Sequence, residues 1–191
     1  MPFKALRTAC LIALLAVPAL AQDNAVTVAG TVETIDAGSI SIKSDSGAVE
    51  ALRLAPNVRV TANQPATLAD IKPTDFVASA AIRKEDGKLH STELRIFPEA
   101  MRGLGEGQFP MNDPRKQTMT NATVTGTAID EGSNHLKVKF AGGESELIVD
   151  PGVPVIRIVI VGKDAVKPGG KVRVRATKTA DGMVAGSITL Q

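Results

Sequence analysis

Lys72-Pro73, in the stretch DIKPTDFV at 70–77, recurs as Lys167-Pro168 in AVKPGGKV at 165–172. A turn of this kind repeated after 95 residues (167 − 72) constrains the fold more than any composition does, because a repeat means that one folding unit occurs twice. The register extends in both directions. Val28-Ala29-Gly30 aligns with Val124-Thr125-Gly126, Ile40 with Leu136 and Gly47 with Gly143. After one deletion Leu52 aligns with Leu147, Pro56 with Pro151, Val60 with Val155, Val77 with Val172, Asp86-Gly87 with Asp181-Gly182 and Leu89 with Val184. Turn residues and apolar residues keep step together, which chance likeness between β-rich segments would not produce. Each unit is about 70 residues long, the size of a small domain and not of a solenoid repeat.

Each unit reads as all β. VTVAGTV alternates Val26, Val28 and Val32, SISIKS alternates Ile40 and Ile42, and KVRVRAT alternates Val172, Val174 and Ala176. Period-two alternation marks half-buried strands. Turn signals separate them: DAGS, DSG and EDG in one copy, EGSN, AGG and ADG in the other. Gly30 inside the first strand predicts a bulge or tight bend. In ATLADIKP, Thr67 and Asp70 can cap a single helical turn that Pro73 stops. A sheet this small leaves edges that closure removes. The expected fold is therefore all-β, with two tandem OB-like or SH3-like barrels of five or six strands each. The expected domains are a leader at 1–21, barrel repeat 1 at 22–97, a Gly/Pro-rich linker with the hinge-like string GLGEG at 98–121, and barrel repeat 2 at 122–191.

The N-terminus has Lys4 and Arg7, an apolar stretch from Ala9 to Val17, then Pro18 and Ala19-Leu20-Ala21. This is the pattern of a secretory signal peptide, with cleavage expected after Ala21 and a periplasmic destination. The apolar stretch falls short of the roughly 20 residues that span a bilayer. The chain has 22 basic and 20 acidic residues, and the leader holds two of the basic ones, so 20 of each remain. A neutral mature chain argues against nucleic acid or anionic lipid as partner. The one cysteine, Cys10, leaves with the leader, and with it disulfides, thiolate metal sites and cysteine nucleophiles.

The pattern Gly-x-Val, Asp-Ile-Lys-Pro-x-Asp-x-Val and Asp-Gly-x-Leu resembles a family of exported bacterial β-barrel domains of unknown function. The strings LRIFPEAMRGLGEG at 94–107 and TMTNATVTG at 118–126 are similar to two-copy members of that family. The resemblance covers essentially the whole mature chain and implies the barrel fold without implying an activity. Some relatives carry the label metal ABC transporter permease, which does not suit a chain without several spans.

Reactive constellations are sparse. His90 and His135 fall on different strands of different units, neither with a second histidine or carboxylate at metal-ligand spacing. There is no Gly-x-Ser-x-Gly elbow, and GLGEG lacks the Lys-Ser/Thr of a phosphate loop. A nucleic-acid barrel needs stacking aromatics, and the chain has no Trp or Tyr. Two features remain. Met101, Met111 and Met119 in and beside the linker, with His90 upstream, are a candidate soft-ligand set for copper. VPVIRIVIV at 153–161 is far more apolar than its counterpart in the other copy. Alternation puts Ile158 and Ile160 together on a core face, and Arg157, Val159 and Val161 on the face open to a docking partner. The expectation is a non-enzymatic exported binding or scaffolding module without a cofactor, contacting another protein. Copper handling through the methionines is the alternative.

Overall fold

The computed structural model describes residues 24–130 and 133–191, so the expected leader lies outside the described residues. The chain is all-β. Its strands are β1 (Ala25–Ile35), β2 (Ser39–Lys43), β3 (Val49–Ala66), β4 (Phe76–Arg83), β5 (Leu89–Ile96), β6 (Gly107–Pro110), β7 (Thr118–Asp130), β8 (Ser133–Phe140), β9 (Gly143–Val149), β10 (Val155–Val161), β11 (Lys171–Thr179) and β12 (Gly182–Leu190). Three short 3-10 turns interrupt them.

Five strands close a barrel in the order β1–β2–β3–β12–β11 and back to β1. Its seam is the parallel pairing of β12 with β3. Val32, Ile40, Ile42, Leu52, Leu54 and Val60 fill the core from one side of the chain, and Val166, Val172, Val174, Ala176, Ala185 and Ile188 from the other. The further strands run β5–β4–β7–β8–β9 around a second core that includes Leu89, Leu94, Ile96, Leu136, Val138 and Leu147. There β9 returns to β5 through two parallel pairs, Leu89–Leu147 and His90–Ile148.

The strand pairing does not follow the repeat boundary. The barrel expected from 22–97 alone takes its last two strands from 171–190, and β4 and β5 instead join the strands that follow the linker. The cause is the length of β3. It runs on through Ala66 and pairs antiparallel with β10, Val60 with Val161 through Ala66 with Val155. A strand that long carries the chain out of one core and delivers β4 to the other. The middle of this pairing is Asn63 with Ile158, and 158 − 63 is the repeat offset of 95. Two repeat-equivalent residues facing each other mark a two-fold axis, so the two copies exchange their last two strands.

The pairing also corrects the alignment of the first strand. Val32 pairs with Ile42, and Val124 with Val138. Val32 N–H donates to Gly170 O, and Val124 N–H to Asp75 O. Val124 therefore stands where Val32 does, an offset of 92 and not 96, and the longer β7–β8 hairpin absorbs the difference. Gly30 has a specific reason to be glycine: a Cβ there would lie 2.2 Å from the Lys43 carbonyl oxygen. The bulge lies just beyond, between Val32 and Thr34.

The capped turn forms as expected. Residues Leu68–Asp70 make one 3-10 turn, and the Asp70 carboxylate accepts from Thr67 N–H and Oγ1–H at 2.8 Å each. The linker is not a free hinge. β6 pairs with β7, Met101 and Gln117 are buried, Asn121 Nδ2 donates to Gly105 O at 2.8 Å, and Arg102 reaches Thr74 O at 2.8 Å. The linker straps the outer face of β4, which explains why that strand is buried on both sides.

Candidate interaction surface

His90 and the methionines of the proposed copper set have different neighbours. His90, near the start of β5, has Nε2 3.0 Å from Asp86 Oδ2 and Nδ1 2.9 Å from Asp150 Oδ2. Lys84 Nζ lies 2.9 Å from the same Asp150 oxygen. Both ring nitrogens thus meet carboxylates. Hydrogen bonds donated by the ring to Asp86 and then to Asp150 raise the His90 pKa, against partial burial and the Lys84 charge. The Asp86 carboxyl is lowered first by His90, and the Asp150 carboxyl first by Lys84 and then by His90. The cluster ties the β4–β5 hairpin to the end of β9, across the seam where only two pairs join β5 to β9. Met101 instead sits buried in the turn at Glu99–Met101, Met111 N–H donates to Gln117 O, and Met119 pairs with Ala80 and Phe109. His135 Nδ1 lies 3.2 Å from Glu146 Oε1. Asp86 stood four residues before His90 in the sequence and was the overlooked partner. Asp150 comes from the other copy and had no local signal.

The apolar run at 153–161 already has a strand partner inside the chain. β10 pairs with β3 along its length and with β5 over Val155–Arg157. Arg157 donates to Asp70 O at 3.0 Å, Val161 packs against the barrel core, and Val159 is half-buried. Ile158 and Ile160 do not share one environment: Ile158 is 7% exposed and Ile160 is 47% exposed. The strand bridges two cores, so cover follows position along it as well as the side on which a residue lies.

The open surface is elsewhere. On β4 the outward positions Phe76, Ala78 and Ala80 lie beneath the linker strap, and Phe76 meets the Phe97 ring at 5.6 Å. The equivalent positions on β11, 95 residues on, are Lys171, Arg173 and Arg175, all exposed. Across the sheet Arg175 neighbours Ser187 and Thr27, Ser187 in turn neighbours Arg59, and Lys43 neighbours Thr31 beside Lys171. None of these cations makes an ion pair among the described residues. One face is covered by the chain's own linker. Its two-fold equivalent is bare, basic and framed by hydroxyls.

No protein-family model, curated protein or solved structure matches the chain. Among the described residues no helix is long and apolar enough to cross a membrane.

Proposed function

We propose that this chain is a non-enzymatic, exported binding or scaffolding module that acts in the periplasm or cell envelope through contact with another protein. The observation that carries this reading is the asymmetry just described. Two equivalent sheet faces differ, and the uncovered one bears Lys171, Arg173 and Arg175 in alternation with the core residues Val172 and Val174. A row of unpaired like charges on a rigid sheet costs self-repulsion and gains nothing for folding. It does suit an acidic partner, by steering the encounter and fixing orientation.

The test is cross-linking of the mature protein in its native compartment, followed by identification of the attached proteins and a metal assay of the same material. A defined protein attached through peptides of β11 or β1 supports the reading. A monomer with no attached protein overturns it, and stoichiometric copper would replace it with the methionine alternative.

A further inference from the structure

The two-fold relation that places Val124 on Val32 also places Thr118–Asn121 of β7 on Val26–Ala29 of β1, since 118 − 92 is 26. These equivalent segments are treated differently. Thr118–Asn121 pairs with β4 on one side and with β6 on the other. Val26–Ala29 pairs with β11 on one side, and no strand among the described residues pairs with the other. The backbone groups on that open side can be named. Asn24 O accepts from Lys178 N–H and Val32 N–H donates to Gly170 O. In an antiparallel ladder the bonded positions alternate, so the even-numbered residues of β1 turn to β11. Thr27 and Ala29 turn their N–H and C=O to the open edge, as Met119 and Asn121 turn to β6.

The space beside this edge is shaped. Val26, Val28, Glu50, Lys178 and Met183 line a groove of about 430 Å³. In the other half Phe140 packs against the second core. Its equivalent here, 96 residues earlier, is Ser44 in the β2–β3 turn, so no ring stands at that position beside the groove.

We propose that the Val26–Ala29 edge takes an extended segment of another protein as an added antiparallel strand, its apolar side chains toward the groove and its acidic side chains outward. This rests on the docking function proposed above and names its site. The chain shows the geometry itself, because β6 is such a strand on the equivalent edge. Charge decides the partner's chemistry. The outward side chains of an added strand lie end-on to Lys43 and about 10 Å, two strand spacings, from Arg173 and Arg175. That is close to the screening length at physiological salt, roughly 8 Å, and the long arginine side chains can shorten the gap. Glu50, the one acid on the groove lining, pairs with inward-facing Ile42 and so stays on the inner side. A second copy of this chain fits poorly, since two β1 edges side by side would bring both sets of cations together with no acid between them.

The experiment uses the mature protein with two capped synthetic probes, Glu-Val-Glu-Val-Glu-Gly and Lys-Val-Lys-Val-Lys-Gly, read by amide exchange and chemical shift at Thr27 and Ala29. The acidic probe should slow exchange at both amides and bind about tenfold more tightly than the lysine probe at low salt. The double substitution Arg173→Glu/Arg175→Glu should invert that order with the melting temperature retained. Unchanged exchange at Thr27 and Ala29 with both probes overturns the proposal, as does equal binding of the two. Protection of these amides on concentrating the protein alone would make a second copy the occupant and also overturns it. A partner recovered by cross-linking whose attachment ignores the double substitution and leaves Thr27 and Ala29 exchange unchanged overturns the edge but keeps the docking function. A responsive edge with no recovered partner supports the edge and removes the function.

Discussion

Cutting the chain once, in the exposed turn at Pro114–Lys116, tests the strand exchange directly. A specific protease site inserted between Pro114 and Arg115 would leave residues 22–114 and 115–191 as separate polypeptides. If each repeat closed its own barrel, the two pieces would part. In the exchanged arrangement each piece supplies half of both cores. The second piece gives the barrel Val166, Val172, Val174 and Ile188. The first gives the other core Ile71, Val77, Leu89, Leu94 and Ile96. At about 1.5–3 kcal/mol per large aliphatic side chain, nine such residues amount to roughly 14–27 kcal/mol. Association costs about 4–15 kcal/mol. Central values leave about 10 kcal/mol, a dissociation constant on the order of 50 nM. At ~10 μM, therefore, nicked protein should elute from a sizing column with the intact chain. The halves should separate only in denaturant, in one transition. Two smaller species in native buffer would refute the exchanged pairing.

His90→Gln tests the clasp at the β5–β9 seam. The folded-state pKa of His90 is raised, so its stabilising share is complete below the unfolded value near 6.5 and is lost as pH rises through the folded value. Wild-type stability, followed by chemical denaturation, should fall on the alkaline side in a step that the glutamine variant lacks. Asp86 and Asp150 are lowered, so their share is present above the ordinary carboxylate pKa and disappears as pH falls through the folded values. Ile158→Lys should cost about 3 kcal/mol or more through burial of an unpaired charge. Ile160→Lys should stay within about 0.5 kcal/mol, and equal melting shifts for the two would contradict the burial pattern of β10. Thr74 has φ of 75° at the position where the other copy has Gly169 with φ of 84°. Thr74→Gly should raise stability by about 1 kcal/mol, and Gly169→Thr should lower it by at least as much. Unchanged melting in both would mean that the turn relaxes.

Local features were legible because short-range chemistry fixes them. Thr67 and Asp70 cap their turn as their spacing implies, and the alternation in β2 and β11 places Ile40, Ile42, Val172 and Val174 inside. What the pattern could not reveal is which copy a strand closes with. Leu94 pairs with Ser79 as Ile188 pairs with Val174, the equivalent of Ser79 95 residues on, so a core built from one repeat and a core built from both satisfy the same alternation. The deciding property is that β3 does not turn at Pro56 but continues to Ala66, and backbone continuity through a proline has no side-chain period. The apolar run VPVIRIVIV suits either a core strand or a docking edge, and in the fold it pairs along its length with another strand of the same chain. That partner is β3, and the unfilled edge lies at β1, whose two-residue alternation is no different from that of a paired strand. Asp150 was invisible as a partner of His90 for the same reason, since it arrives from the other copy.

The exchange also sets the order in which the fold can be completed during synthesis. β1 is held by β11 along Ala25–Thr31, so the first strand made waits for nearly the last. A chain emerging N-terminus first exposes β1–β3 with both flanking edges unpaired, and long-range pairings of this kind form late because loop closure precedes any gain from them. The barrel of β1, β2 and β3 stays open until β11 and β12 arrive, whereas β4, β5, β7, β8 and β9, complete at Val149, can close around the second core before that. The first strands made are thus the last to be enclosed: β1–β3 wait for the final 21 residues, 171–191, while the second core can assemble in the meantime.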